Sequence, residues 1–261
     1  MLVSFTAAPR ISLRFWPVFM RNLLVWKKLA VPSVIGNIAE PLITRGAFGY
    51  GLGSMIGQID GRPYIQVLAS GSIVVSAALA ATFEALYSAY SRMQMQKTWD
   101  SIMNAPIALD DIVFAEMLWA AFKSLFSVAA IMVVIWVLGI SREPTMLLAL
   151  PLLGLVGITF ASVALVFNAL AKGYDFFTYY FTLVITPMTF LSGVYFPISQ
   201  MPGWLQAVAN VLPLTAAVEL VRPLILGTPT GDMLRPICVL VAYAVGGYYL
   251  ALVLTRRRFF K

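Results

Sequence analysis

Residues 144–171, PTMLLALPLLGLVGITFASVALVFNALA, are 28 consecutive residues without a charged side chain. A helix needs about 20 predominantly apolar residues to cross the hydrocarbon core of a bilayer. This stretch therefore predicts a membrane-spanning helix. Four more uncharged stretches pass the same test, namely residues 63–83, 124–141, 176–218 and 236–255. Together they predict an all-α membrane protein.

The composition of the 261-residue chain agrees with lipid as its solvent. Hydrophobic residues make up 61% and charged residues 11%, whereas a soluble domain has about 25% charged residues. The mean hydropathy is +0.88. The sequence contains no histidine and one cysteine, Cys238, which excludes His-based catalytic triads, His metal sites and a disulfide framework. We therefore expect no catalytic residue, no metal site and no bound nucleic acid.

The net charge of +7 is concentrated near the two ends of the chain. Basic segments flanking membrane spans stay in the cytoplasm, so both termini are predicted to be cytoplasmic and the number of crossings even. Residues 31–57 are interrupted by Glu40 and Arg45, but parity favours counting them as a span. The six predicted transmembrane helices are 32–57, 64–90, 117–139, 146–171, 176–196 and 235–255. Residues 197–226 contain several prolines and are predicted to form an external re-entrant helical hairpin between helices five and six.

Residues 10–30 are predicted to form an amphipathic helix in the membrane interface. Basic side chains recur every seven residues at Arg14, Arg21 and Lys28. Aromatic and aliphatic residues form a neighbouring stripe, a combination typical of interfacial helices. A plain membrane anchor explains this pattern, and a role in gripping a partner or admitting lipid is the alternative.

Four charged residues are predicted to lie within the inner half of the membrane. Counting along the helices places Glu84 and Lys123 about 9 Å deep, Glu40 about 12 Å deep and Arg45 about 20 Å deep. The long side chain of Arg45 can reach back to the layer of the other three. Because an unpaired intramembrane charge costs several kcal/mol, we expect these side chains to pair in a structural ionic cluster. A polar site for a substrate headgroup, centred on Arg45, is the alternative, and a proton relay is the least favoured.

Two other segments invite a functional interpretation. Residues 91–116 form a polar segment longer than a connector requires, and its Met and Trp side chains favour a surface for a partner protein, with an ordinary ordered loop as the alternative. Residues 176–190 are rich in Phe and Tyr, which suits either a lipid-facing aromatic belt or a wall that stacks on sugar rings. The sequence has no G-x-x-x-x-G-K-[ST] motif, so we expect no nucleotide site of the P-loop type.

Three stretches make the whole chain similar to a known family. They are TFEA (82–85) with YSRM (90–93); QKTWDSI (96–102), API (105–107) and EMLWA (116–120); and LSGVYFP (191–197), MPGWL (201–205) and LPL (212–214). In these stretches the chain resembles ABC-2 type transporter permeases, and within them the nodulation protein J group. Tyr195 departs slightly from the Phe-Phe-Pro pattern of the family.

The resemblance implies a transport subunit of the bacterial inner membrane that exports lipo-oligosaccharides. It implies a homodimer with two copies of a separate ATPase subunit, which binds ATP and Mg while this chain binds no cofactor. Residues 94–106 would be the coupling helix that docks into the ATPase, through Gln94, Gln96, Lys97, Trp99, Asp100, Met103 and Pro106. The implied pathway or dimer-seam residues are Phe177, Tyr179, Tyr180, Phe181, Phe190, Ser192, Gly193 and Phe196.

Two expectations follow for variants and for competing functions. Trp99→Ala and Lys97→Glu should uncouple ATP hydrolysis from transport without unfolding the permease. The alternative functions are a polysaccharide or drug efflux permease of the same class and a channel or scramblase that needs no ATPase. An intramembrane transferase or protease is disfavoured by the residue types present.

Overall fold

A computed structural model describes residues 5–28, 30, 57–59, 61–228 and 231–260. The predicted first span, 32–57, with Glu40 and Arg45, lies outside the described residues except for Gly57 at its end. The described helices, in chain order, are α1 (Phe15–Lys27), α2 (Tyr64–Phe83), α3 (Thr98–Met103), α4 (Leu109–Val137), α5 (Ala149–Leu170), α6 (Asp175–Tyr180), α7 (Thr186–Leu191), α8 (Gly203–Ala209), α9 (Pro213–Leu226) and α10 (Leu234–Phe259). A two-stranded antiparallel hairpin, β1 (Gln58–Ile59) and β2 (Arg62–Pro63), precedes α2.

Several helices contain or adjoin turns of other geometry. The helix α2 continues through two π-helical segments, Glu84–Ser88 and Ser91–Met95. A third π-helical segment, Phe181–Ile185, joins α6 to α7. Short 3₁₀ segments lie before α5, at Pro144–Leu148, and before α8, at Ile198–Gln200. Single π-helical turns inside α-helices occur frequently at functional sites.

Four helical stretches are long and apolar enough to cross a membrane: Tyr64–Met95, Leu109–Val137, Pro144–Leu170 and Leu234–Phe259. The helices α8 and α9 are bent by 83° relative to each other, and counting them as one broken span gives five. The run α6–α7 has seventeen helical residues, fewer than the roughly 20 of a typical span. The described residues therefore support four or five spans, and six remains a prediction.

The helix bounds differ from the predicted ones for identifiable reasons. The helix α4 begins at Leu109, before the predicted span 117–139. Asp110 and Asp111 lie in its first turn, where the positive end of the helix dipole stabilises acidic side chains. The predicted fifth span, 176–196, ends at Leu191 because Gly193 adopts a left-handed φ of 71° in the turn that follows. The predicted coupling helix, 94–106, is reduced to α3, since Ser91–Met95 continues the preceding helix.

The helix α5 lies at the centre of the bundle and packs against α2, α4, α9 and α10. Glycines allow its closest contacts. A Cβ on Gly157 would lie 2.5 Å from the Ser124 hydroxyl of α4, and one on Gly247 of α10 would lie 3.0 Å from the Ser162 hydroxyl. Small residues at these crossings let the backbones approach closely, which is how helices associate in lipid.

Candidate functional site: a buried charge cluster beside a polar cavity

Glu84 lies at the centre of a buried cluster where α2 meets α4. Its side chain is 3% exposed and accepts three hydrogen bonds. Trp119 Nε1 donates at 2.8 Å, Arg92 Nη2 at 2.9 Å and Lys123 Nζ at 2.6 Å. The structure thus places Glu84 and Lys123 in a direct ion pair.

Arg92 extends the cluster to a second carboxylate, Glu116. Arg92 Nε and Nη2 donate to the two oxygens of Glu116 at 2.9 and 2.6 Å, the bidentate geometry that fits a guanidinium to a carboxylate. Trp99 Nε1, on α3, donates to the same carboxylate at 3.2 Å. The cluster of Glu84, Arg92, Glu116 and Lys123 therefore has two positive and two negative charges and is neutral as a whole.

The sequence did not predict Arg92 or Glu116 as members of this cluster. Arg92 was assigned to the cytoplasmic loop and Glu116 to the residue just before a span. The helix α4 brings Glu116 and Lys123 onto one side because residues seven apart lie within about 20° of each other around a helix. Arg92 reaches Glu84 from the second π-helical segment, eight residues further along the chain. A spacing of about two helical turns between Glu84 and Arg92 was therefore the feature of the sequence that could have predicted this ion pair.

The π-helical segment that carries Glu84 is stabilised by a side chain of α5. Asn168 of α5 is 1% exposed, and its Nδ2 donates to the carbonyls of Ala85 and Leu86 at 2.8 and 3.2 Å. A buried carbonyl without a donor costs about 1–3 kcal/mol. Asn168 therefore stabilises the backbone that positions Glu84.

A cavity of about 600 Å³ lies beside the cluster, between α2, α4 and the α6–α7 run. Glu84 and Lys123 contribute to its wall. Hydroxyl groups and aromatic rings line the rest, among them Ser72, Ser76, Ser88, Thr186, Thr189, Phe83, Tyr87, Phe181, Phe190 and Tyr195. Phe83 and Phe181 stack across from one another with 4.6 Å between ring centroids. The wall thus combines apolar area with scattered hydrogen-bonding groups, which is typical of ligand pockets.

The predicted pathway residues divide between several locations. Phe181 and Phe190 line this cavity. Phe177 and Tyr180 are buried in the core, and Tyr179 is 64% exposed. The remaining three residues, Ser192, Gly193 and Phe196, lie in or near the turn after α7. Ser192 is buried, Gly193 has a positive φ and Phe196 is 39% exposed. The structure therefore brings only part of the predicted set to one site.

A second cavity, of about 500 Å³, continues from the first toward α1. The two cavities share Glu84, Tyr87, Ser88 and Lys123 in their walls. The wall of the second cavity also includes residues of α1, residues of the segment that precedes α3, and Tyr174. The charge cluster therefore contributes side chains to the walls of both cavities.

The predicted coupling residues include both exposed and buried side chains. Gln96, Lys97, Asp100 and Pro106 are exposed, while Gln94 and Met103 are half-buried. Trp99 is 1% exposed and stacks on Phe259 with ring centroids 6.1 Å apart. The indole of Trp99 therefore fills the space beneath α3, and the role of this segment in coupling stays a prediction.

Lys97 has an unusual backbone conformation just before α3. Its φ is 48°, the only positive value among the non-glycine residues that the structure describes. Left-handed backbone is disfavoured for a residue with a Cβ by about 1–2 kcal/mol. The surrounding turn must therefore impose this conformation on Lys97. The left-handed backbone in turn fixes the direction in which α3 follows the π-helical segment.

A second polar junction ties the N-terminal segment to both α4 and α10. Arg256 forms an ion pair with Asp110 at 2.5 Å and donates to the carbonyl of Ala7 at 2.6 Å. The backbone N–H and hydroxyl of Ser12 donate to Asp111 at 2.7 and 2.9 Å. This junction holds residues 5–12 against the start of α4.

The helix α1 is held on α4 by aromatic contacts. Phe15 meets Phe114 edge to face at 5.0 Å, and Trp26 meets Phe126 at 5.1 Å. The guanidinium of Arg14 donates to the carbonyl of Pro106. The predicted aromatic stripe therefore packs at least partly against protein, while Leu24 and Val25 remain exposed, at 62% and 55%.

Comparison with known proteins identifies the family. Residues 14–226 match the family described as ABC-2 type transporter. The chain is 43% identical to nodulation protein J of Sinorhizobium fredii over 92% of both chains. It is 44% identical to nodulation protein J of Rhizobium leguminosarum bv. trifolii over 98% of this chain and 97% of that one. It is 25% identical to the inner membrane transport permease YadH of Escherichia coli over 91% of both chains. The chain therefore belongs to the ABC-2 type transporter family, as the permease-like sequence motifs and apolar helices predicted.

Proposed function

We propose that this chain is the permease subunit of an ABC exporter that moves an amphipathic glycolipid or lipo-oligosaccharide across the bacterial inner membrane. Energy comes from a separate ATPase subunit that binds ATP and Mg. Membership of the family and similarity to nodulation protein J support this proposal. The word "inner membrane" in the name of one relative supports the location.

The observation that carries the proposal is a continuous series of polar contacts from the loop around α3 to the cavity. Trp99 of α3 donates to Glu116, which is bound by Arg92, which is bound to Glu84. Glu84 in turn holds Lys123, and both line the cavity wall. A force applied to α3 by a partner would reach the cavity through these contacts.

The proposed cargo follows from the lining of the larger cavity. Hydroxyl side chains such as Ser76 and Thr189 can hydrogen-bond to sugar hydroxyls, and Phe181 and Phe190 supply aromatic and apolar area for a sugar face or an acyl chain. Such a mixture suits a molecule that is polar at one end and apolar at the other. It suits a uniformly polar polysaccharide less well.

The membrane arrangement is proposed as six spans with both termini in the cytoplasm. The basic end of α10, with Arg256, Arg257 and Arg258 in its last turn, supports a cytoplasmic C-terminus. The 83° bend between α8 and α9 supports an external re-entrant pair. Two copies of the chain would assemble with two copies of the ATPase.

The experiment is co-purification followed by reconstitution. The permease is expressed with a candidate ABC ATPase subunit, and the complex is placed in vesicles with a radiolabelled lipo-oligosaccharide. We expect ATP-dependent transfer that is lost when the Walker A lysine of the ATPase is changed to alanine. Transfer at an equal rate without the ATPase would contradict the proposal and favour a scramblase. Transfer of a hydrophobic drug but of no glycolipid would retain the family and contradict the cargo.

A further inference from the structure

The second cavity is basic and opens beside α1. Its wall contains Arg21, Arg92 and Lys123 and one carboxylate, Glu84. Arg92 and Lys123 are already paired with carboxylates of the charge cluster. Since that cluster is neutral, Arg21 is the charge in excess.

Most hydrogen-bond donors of the Arg21 guanidinium have no acceptor among the residues that the structure describes. Its one hydrogen bond there is from Nη1 to the side-chain oxygen of Asn22, at 3.1 Å, and no carboxylate forms an ion pair with it within the described ranges. Burial lowers the pKa of Arg21 below its ordinary value, and the charge of Arg92 lowers it further, against an opposing effect of Glu116. A guanidinium remains charged in proteins, so it carries unused donors in this cavity.

Asn22 adds a second donor without an acceptor. The residue is 3% exposed, borders the same cavity, and its Nδ2 has no hydrogen-bond partner in the described structure. A buried polar group left in this state costs about 1–3 kcal/mol. Two adjacent side chains thus present donors to one cavity, and both would be satisfied by an acceptor that carries negative charge.

The rim of the cavity indicates where such an acceptor comes from. Val25 lines the cavity and is 55% exposed, and its neighbour Leu24 is 62% exposed. Aromatic rings of Trp26, Tyr87, Trp119 and Tyr174 also line the cavity. An apolar rim beside a basic interior accommodates a molecule whose charged group enters the cavity while its hydrocarbon chains stay outside.

We propose that Arg21 and Asn22 form a binding site for the phosphate group of an anionic membrane lipid from the inner leaflet. The guanidinium fork of Arg21 matches phosphate oxygens, and Asn22 Nδ2 donates to the same group. This site is independent of the proposed cargo, since the transport proposal rests on the larger cavity and on α3. Occupation would neutralise the excess charge of Arg21 next to the charge cluster.

The test is native mass spectrometry of the delipidated permease with equal amounts of dioleoylphosphatidylglycerol and dioleoylphosphatidylcholine. The wild-type chain should retain one phosphatidylglycerol preferentially. Arg21→Gln should lower that preference about tenfold, because a hydrogen bond to a charged group is lost. Lys27→Gln is the matched control, since Lys27 is an exposed base on the same helix outside the cavity, and its effect should be about twofold or less. Asn22→Asp should also lower the preference, by placing a carboxylate beside the phosphate.

Three results would overturn the proposal. One is a lipid preference unchanged in both Arg21→Gln and Asn22→Asp, each verified as monodisperse with native far-UV circular dichroism. Another is an equal loss in Lys27→Gln, which would indicate general surface electrostatics. The third is displacement of the lipid by millimolar inorganic phosphate, which would mean that the site takes a free anion. None of these results bears on ATP-driven export, because the measurement contains neither ATPase nor cargo.

Discussion

Replacing Glu84 by Gln tests whether the charge cluster holds α2 against α4. The change removes one negative charge from a carboxylate that binds Trp119, Arg92 and Lys123. Arg92 retains Glu116, whereas Lys123 loses its ion-pair partner. Breaking a buried ion pair on one side costs about 3–5 kcal/mol, because the other charge is left uncompensated. We expect Glu84→Gln to lower the free energy of unfolding by that amount.

A double-mutant cycle separates this stranded charge from general loss of packing. Lys123→Met alone leaves Glu84 paired with Arg92 and Trp119, so we expect a smaller cost of about 1.5–3 kcal/mol for one charged hydrogen bond. In the double variant, Glu84→Gln with Lys123→Met, no lysine is stranded. Its cost should therefore fall below the sum of the single variants by at least about 1 kcal/mol, as residues in one network usually show.

The measurement is reversible unfolding in mixed micelles with increasing dodecyl sulfate. Far-UV circular dichroism and tryptophan fluorescence should give coincident transitions, which justifies two-state free energies. Glu143→Gln, at an exposed carboxylate, is the control and should change stability by less than about 0.5 kcal/mol. A cost below about 1 kcal/mol for Glu84→Gln, or additivity of the two single variants within about 0.5 kcal/mol, would refute the reasoning.

Variants at three further positions test the segment around α3 and the N-terminal segment. Lys97→Glu should reduce ATP-driven export in the reconstituted complex, whereas Lys97→Gly, which suits the left-handed backbone, should fold at least as well as wild type. Export at the wild-type rate by both variants would contradict a role for the side chain. Trp99→Ala should destabilise the chain by about 3–5 kcal/mol, because it empties a buried site, and so it should not leave the fold intact as the sequence alone predicts. Trp99→Phe keeps one aromatic ring but loses the pyrrole half of the indole and its bond to Glu116, so it should cost less; comparing the melting temperatures of the two variants checks this. Asp110→Asn should weaken the contact with Arg256 and with the Arg10 N–H, and hydrogen exchange at residues 5–12 should then accelerate severalfold; unchanged exchange would show that other contacts hold the segment.

The apolar spans could be predicted from the sequence because hydropathy alone determines them. The predicted 64–90 and 235–255 correspond to helical stretches Tyr64–Met95 and Leu234–Phe259. Errors arose where charged residues continue a helix. The predicted second span ends before Arg92 and the predicted third begins after Glu116, whereas both residues lie inside continuous helical stretches and pair with each other.

The candidate site was predictable to the same limited extent. Counting depth along the helices put Glu84 and Lys123 in one layer, and they form an ion pair in the structure. No pattern in the sequence could reveal that Trp99 is buried, since an amphipathic loop and a packed helix share the same residue types. Its burial depends on the distant Phe259 and Glu116.

The cluster is better suited to transmit a displacement than to absorb one. Each of its carboxylates accepts three hydrogen bonds. Shifting α3 alone would break the one from Trp99 to Glu116, at a cost of about 1.5–3 kcal/mol for a bond to a charged group. It costs less for α3, α4 and the end of α2 to move together. The deformation must then be taken up elsewhere, and the π-helical segments Glu84–Ser88 and Phe181–Ile185, whose residues both line the larger cavity, are the places where the helical hydrogen bonding is already irregular. Motion of α3 is therefore expected to change the shape of that cavity.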